Sequence, residues 1–198
     1  MKWSAVAGAL LLLTSLTATA AEIPPWCRYT VLDVPKGAPR FEDHMVAKVR
    51  IAHPAEVDVR PKDARLFRTQ LREAVKGGTN FAGHYTIASW GCGTGCLSWA
   101  VIDQTTGKVT FPAGMGSFSN YRVDFDRDDA VERFAKARHA TYVFGVLMFR
   151  AESDLLITMG APDEGDSRDG VAYYRWTGTR FDRIAFYPAA KICPKPKD

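Results

Sequence analysis

The chain has 198 residues, with 26 basic and 22 acidic side chains, 46% apolar residues and four cysteines. That is long enough for one domain with a substantial core, and too apolar for a disordered chain. Its charges are interspersed, as in Arg122, Asp124, Asp126, Arg127, Asp128 and Asp129, and only residues 191–198 are locally basic, so no nucleic-acid-binding stripe is expected.

The N-terminus has the three-part layout of a secretory signal peptide. Lys2 gives a basic start, residues 5–16 form an apolar run, and Ala18-Thr19-Ala20 is a small-x-small exit. The run is too short for a comfortable bilayer span, and no cysteine stands at the cleavage point to carry a lipid. Residues 1–20 are therefore expected to be removed. Residues 21–198 then form one periplasmic or secreted domain, with no membrane contact after cleavage. The mature part would hold 178 residues, 25 of them basic and 22 acidic.

All four cysteines, Cys27, Cys92, Cys96 and Cys193, fall in that mature part. An even count in an exported chain points to disulfides, and four cysteines allow three connectivities. Spacing favours Cys27–Cys193, near the two mature ends, and Cys92–Cys96, a small local ring.

Residues 21–60 are irregular and proline-rich, with short strands expected at 29–34 and 45–51. Residues 63–75 carry Phe67, Leu71, Ala74 and Val75 at helical spacing, with Asp63 placed to cap the start and Gly77-Gly78 to end it. Strand patterns follow at 81–90, 97–103 and 109–111. A second short helix at 128–138 has acids at its start and bases at its end. Two further apolar hairpins are expected, 142–149 with 155–159 and 171–176 with 181–187. The strands are short and lack βαβ alternation. The expected fold is thus α+β: a predominantly antiparallel β-sheet of hairpins with one or two short helices, stapled by disulfides.

The most distinctive run is 80–96. Read as a hairpin centred on Thr94, it sets Trp90 opposite Ser98 and Ala88 opposite Ala100. Ile87, Trp99 and Val101 then make one buried face. The opposite face of His84, Thr86, Ala88, Ser98 and Ala100, small and mixed, suits a helix or a ligand. The glycines at 91, 93 and 95 permit a tight, cysteine-closed tip. The segment Asn80-Phe81-Ala82-Gly83-His84-Tyr85, followed by Trp90-Gly91-Cys92-Gly93-Thr94-Gly95-Cys96 and then by Ile102-Asp103 and Thr106-Gly107-Lys108-Val109, resembles a group of uncharacterised bacterial secreted proteins. The resemblance covers about thirty residues. It implies export and a paired cysteine loop, and it transfers no activity.

Tests for chemistry return little. Eight residues of straight strand put His84 about 26 Å from Cys92, so His84, Cys92 and Cys96 do not form a metal site. His44, His53 and His139 show no ligand spacing. Gly91-x-Gly93-x-Gly95 is not followed by a helix, so it is no dinucleotide fingerprint. The acidic run 163–170 lacks EF-hand spacing and carries Arg168, and it is expected to be a solvated loop. No cofactor and no metal are expected. The primary expectation is a non-catalytic binding or inhibitor-type domain, with Asn80, His84, Trp90 and Thr94 as candidate binding residues and a protein, glycan or small molecule as partner. The alternative is a hydrolase-type enzyme with a dispersed site around His84 and the 117–120 loop, which carries Ser117, Ser119 and Asn120.

Overall fold

The computed structural model describes residues 22–194, so the expected signal peptide at 1–20 lies outside the described residues. Nine strands form one antiparallel, curled sheet: β1 (Tyr85–Gly93), β2 (Cys96–Asp103), β3 (Val109–Thr110), β4 (Ser117–Ser119), β5 (Thr141–Val143), β6 (Leu147–Phe149), β7 (Leu155–Pro162), β8 (Gly170–Trp176) and β9 (Phe181–Pro188). Four short helices accompany it: α1 (Lys62–Leu66), α2 (Arg68–Lys76), α3 (Asp128–Lys136) and α4 (Ala189–Ile192).

Strand β7 is the spine, and every residue in it is buried. One edge pairs with β8 from Leu155 to Gly160. The other edge is shared, with β6 on Ile157 and Thr158 and β4 on Ala161 and Pro162. Because β4 also pairs with Cys96, Leu97 and Ser98 of β2, it joins the two halves of the sheet. Gly160 allows this crossing. It has φ +101°, and a Cβ there would lie 2.3 Å from the Ser119 carbonyl oxygen, so only glycine lets the two backbones approach.

The strand alternation sorts side chains into separate cores. Ile87, Leu97, Trp99 and Val101 of β1 and β2 meet Leu156, Ala172, Tyr174 and Trp176 of β7 and β8 inside the curl, where Phe81, Phe118 and Phe149 complete the packing. Leu155, Ile157, Met159, Val171 and Tyr173 point outward from β7 and β8 into a second cluster with Tyr29, Phe41, Val131, Ala135 and Ile192. On the outside of β1 and β2, Ala88, Ala100 and Ile102 pack against Ala64 and Leu71 of the helices. The small face of the central hairpin is thus covered by a helix. The Thr86 hydroxyl donates to the Gly78 carbonyl at 2.9 Å and accepts from Gln104 Nε2 at 2.6 Å, which satisfies that buried hydroxyl beneath the helix.

Several elements differ from the sequence reading. The single helix expected at 63–75 is two, because Phe67 leaves helical geometry (φ −107°, ψ 22°) as its ring packs on Trp90, with centroids 4.6 Å apart. Its start is at Pro61, and Asp63 sits in the first turn rather than at the cap. Residues 142–149 are a hairpin in themselves, β5 and β6, turned by Phe144 and Gly145 at φ +52° and +71°. No strand forms at 45–51, where Met45 makes an isolated bridge to Ser153. Tyr29 bridges Val123, and the chain then enters a 3₁₀ turn, Val31–Asp33, capped by Thr30. Among the described residues there are four short helices rather than one or two, and β4 pairs with β7 across a long connection rather than a hairpin loop.

Both disulfides expected from spacing are present. Cys27 and Cys193 have Cα atoms 5.6 Å apart, and Cys92 and Cys96 5.1 Å. The first closes the chain beside α4, and the second closes the β1–β2 tip. Among the described residues, no helix is long and apolar enough to cross a membrane.

Two buried tyrosines make the fold sensitive to alkali. Burial raises the Tyr29 hydroxyl well above its usual range, reinforced by Asp169, and burial also raises Tyr173, reinforced by Tyr187. Both keep their proton in the native state at pH values where an unfolded tyrosine loses it, so the native state then binds more protons and stability falls as pH rises. The tyrosine contribution is complete below about pH 10. Above that it is lost at up to about 1.4 kcal/mol per pH unit for each residue. Urea titrations between about pH 9 and pH 11.5 should show this decline. Tyr173→Phe should flatten its share, and a decline unchanged in that variant would contradict the assignment.

Candidate binding site

The tip of the central hairpin is shaped by a slip in register. From Tyr85–Asp103 to Gly91–Leu97 the partners follow one register, as expected, with Trp90 opposite Ser98 and Ala88 opposite Ala100. Between Gly91 and Gly93 the register shifts by one, Gly93 pairs with Cys96, and Cys92 is the extra residue of a bulge. The turn is therefore Thr94-Gly95 rather than one centred on Thr94. The disulfide spans this bulge and holds a tip that two strands alone would leave loose.

That tip is seated on residues 120–125. The Asn120 N–H donates to the Gly95 carbonyl at 2.9 Å, and the Tyr121 hydroxyl donates to the Thr94 carbonyl at 2.8 Å. Gly95 is needed for the seat, since a Cβ there would lie 2.8 Å from the Tyr121 ring. Asn120 is buried, and its side-chain amide donates to the Phe144 carbonyl at 3.1 Å, which brings the β5–β6 turn to the same corner. The Phe125 ring lies over Gly145 of that turn.

Three aromatic side chains are left facing solvent here: Tyr121 is 64% exposed, Phe144 60% and Phe125 49%. Phe144 also holds a left-handed backbone, which for an aromatic residue costs on the order of 1 kcal/mol and persists only where the surroundings fix it. Beside Tyr121 lies a polar cleft of about 200 Å³ lined by Ser119, Tyr121, Arg122, Glu164 and Asp169. Its Asp169 carboxylate accepts from the Tyr29 hydroxyl and from Arg122 Nη1 at 3.1 Å.

The residues singled out in the sequence are spread from the segment before β1, with Asn80 and His84, through Trp90 in the strand to Thr94 in the turn after it. Asn80 is half-buried and clasps the backbone of Ile87, accepting from its N–H at 2.7 Å and donating to its carbonyl at 3.1 Å. His84 is partly exposed, with its ring against Tyr85 and Nε2 3.8 Å from Asp103. Trp90 is stacked on Phe67, with Phe111 at its edge. Thr94 alone belongs to the aromatic corner. The structure does not gather these four into one site.

Nor does it join His84 to the 117–120 segment. Ser117 pairs opposite Ser98, whereas His84 lies beside Asp103, five residues along β2 and about 17 Å away by strand rise. Residues 117–119 form β4 rather than a loop, and Ser119 and Asn120 are buried. The acidic run 163–170 is also less solvated than expected. Asp163 accepts from the Ser117 N–H at 3.2 Å, Arg168 donates to the Gly114 and Pro162 carbonyls, and Asp169 turns into the interior. Among the described residues, no group of three or more His, Cys, Asp or Glu side chains is placed to hold a metal ion.

The aromatic corner had a weak sequence signal. Tyr121 and Phe125 stand in a polar, aspartate-rich turn, where an apolar side chain has no strand or helix face to fill. Phe144 was hidden inside an apparent strand. Comparison with protein-family models, with curated proteins and with solved structures finds no match.

Proposed function

We propose that the chain is an exported, non-catalytic binding domain of inhibitor type that belongs with the secreted bacterial proteins sharing its 80–96 motif. A protein partner docks on the aromatic corner formed by Tyr121, Phe125 and Phe144. The observation that carries this reading is the exposure of three large aromatic rings around one disulfide-closed tip. Isolated apolar side chains on a surface need no explanation, but a group of them marks an interaction face. Rigid aromatic anchors supply much of the binding energy at protein interfaces. The tip, the 120–125 turn and the β5–β6 turn are cross-tied by hydrogen bonds from Asn120 and Tyr121 to backbone carbonyls, so the face costs little ordering on binding.

The test is capture from a periplasmic extract by protein exported from its full-length precursor. The exported protein should have a mass lacking residues 1–20, and it should retain a specific partner. Tyr121→Ala with Phe144→Ala should reduce capture by at least about tenfold, as loss of two anchors does, with the far-ultraviolet spectrum unchanged. Export with residues 1–20 retained would remove the cleaved signal peptide from the reading, and retention in the cytoplasm would remove export. Capture unaffected by the double substitution would remove the docking face.

A further inference from the structure

On a different part of the molecule, residues 31–41 make an arch over the outer core. The arch begins in the capped 3₁₀ turn, passes Pro35, Gly37 and Pro39, and is pinned again at buried Phe41. Beneath it is a cavity of about 270 Å³. Its walls are apolar, with Val31 and Phe41 from the arch, Phe134 from α3 and Ile157 from β7, and Tyr173 of β8 also lines it.

Two polar groups stand out against those walls. Tyr173 is only 3% exposed, and among the described residues its hydroxyl has no hydrogen-bond partner. Tyr173 lines the cavity, and its hydroxyl is free to donate to an occupant. Arg138 lies with its guanidinium 3.5 Å above the Phe134 ring and donates one bond to the Phe134 carbonyl at 3.0 Å. It makes no ion pair among the described residues, and its remaining donors are uncommitted. Arg138 is close enough to Tyr173 to oppose the effect of burial on that hydroxyl, which nonetheless stays protonated and able to donate.

The charge around the cavity has one sign. Lys36 and Arg40 also line it, and no Asp or Glu does. Arg40 is held by Asp43 through two hydrogen bonds of 3.1 and 3.0 Å, which leaves Arg138 and Lys36 as its uncompensated cations.

We propose that the cavity under the 31–41 arch binds a small apolar monocarboxylate, with Arg138 and the Tyr173 hydroxyl taking the carboxylate and the apolar walls taking the tail. A guanidinium and a neutral hydroxyl donor together satisfy a carboxylate that an apolar pocket would otherwise exclude. The volume, at the small end of ligand pockets, holds about ten non-hydrogen atoms at roughly 25–30 Å³ each. That excludes long-chain lipids and suits a medium-chain or aryl-alkyl acid. The site shares no residue with the aromatic corner, so either assignment can fail without the other.

The test uses octanoate and its neutral analogue octanamide, titrated calorimetrically into the purified chain. Octanoate should bind at one site with a dissociation constant below about 1 mM, and octanamide at least about tenfold more weakly. Arg138→Gln should weaken octanoate by at least about tenfold and leave octanamide unchanged. Tyr173→Phe should weaken octanoate about three- to tenfold while the thermal midpoint holds or rises, because that hydroxyl has no protein partner to lose. Binding without saturation up to about 10 mM octanoate, equal binding of the amide, or an unchanged affinity in Arg138→Gln would each overturn the proposal.

Discussion

Replacing Cys27 and Cys193 together by Ser is expected to destabilise the domain by about 5 kcal/mol, the largest single loss anticipated for this fold. The bond joins residues 166 apart, so nearly the whole chain is the closed loop. In the chain-entropy model the cost of cross-linking falls on the unfolded state and grows with loop length, whereas the five-residue ring of Cys92–Cys96 yields only about 2 kcal/mol. The native structure adds to the difference. Cys27 is buried in the outer core, and Cys193 follows α4, a single turn that cannot persist without tertiary support. Replacing both cysteines avoids a free thiol that could exchange with the tip disulfide. Equilibrium urea denaturation is the measurement. A loss under about 1 kcal/mol would mean that the unfolded chain is already compact enough to make the bond redundant. The Cys92→Ser/Cys96→Ser pair should lose less stability, with its main effect at the aromatic corner that the tip supports.

What could be read from the sequence was what alternation and local spacing determine. Ile87, Trp99 and Val101 fall on one face because strand period is two, and the hairpin register followed from that pattern as far as Gly91. The largely apolar run Leu155–Met159 of β7 is legible as a strand. The two disulfides follow from where the cysteines stand. The remainder depended on contacts distant in sequence. Phe67 breaks a helical pattern because Trp90, on a strand, offers its ring a better place. Phe144 turns inside an apolar run in which Gly145 is the lone turn marker, and it is held there by Asn120. Residues 31–41 form an arch whose prolines gave no period to read. Of the candidate site, Thr94 was visible because glycines and cysteines mark a tip, whereas Tyr121, Phe125 and Phe144 become one face only when two turns meet.

Asp169 illustrates the same limit and gives the second large effect. In the sequence it is one acid among several in a polar loop. In the fold it is buried, its carboxylate accepts from the Tyr29 hydroxyl 140 residues away, and its other oxygen accepts from Arg122 Nη1 at 3.1 Å. The Tyr29 oxygen in turn accepts from the Gly160 N–H at 3.0 Å. One carboxylate therefore ties the N-terminal segment and the 120–125 turn to β7 and β8, at the point where the two halves of the sheet join. Asp169→Ala is expected to cost about 3–5 kcal/mol, because it removes a buried carboxylate that accepts from both the Tyr29 hydroxyl and the Arg122 guanidinium and leaves the hydroxyl only the Gly170 carbonyl at 3.2 Å. Tyr29→Phe should cost about 1–3 kcal/mol, since it removes the acceptor of the Gly160 N–H and a donor to the carboxylate. If the three groups act as one network, the double substitution should cost less than the sum of the singles by roughly 0.5–3 kcal/mol in a double-mutant cycle. Urea denaturation of the four proteins at pH 7 measures this directly. Strict additivity would show the groups to be independent. An Asp169→Ala protein as stable as the parent would show that water replaces the carboxylate, and that the junction of the two sheet halves is held by backbone pairing alone.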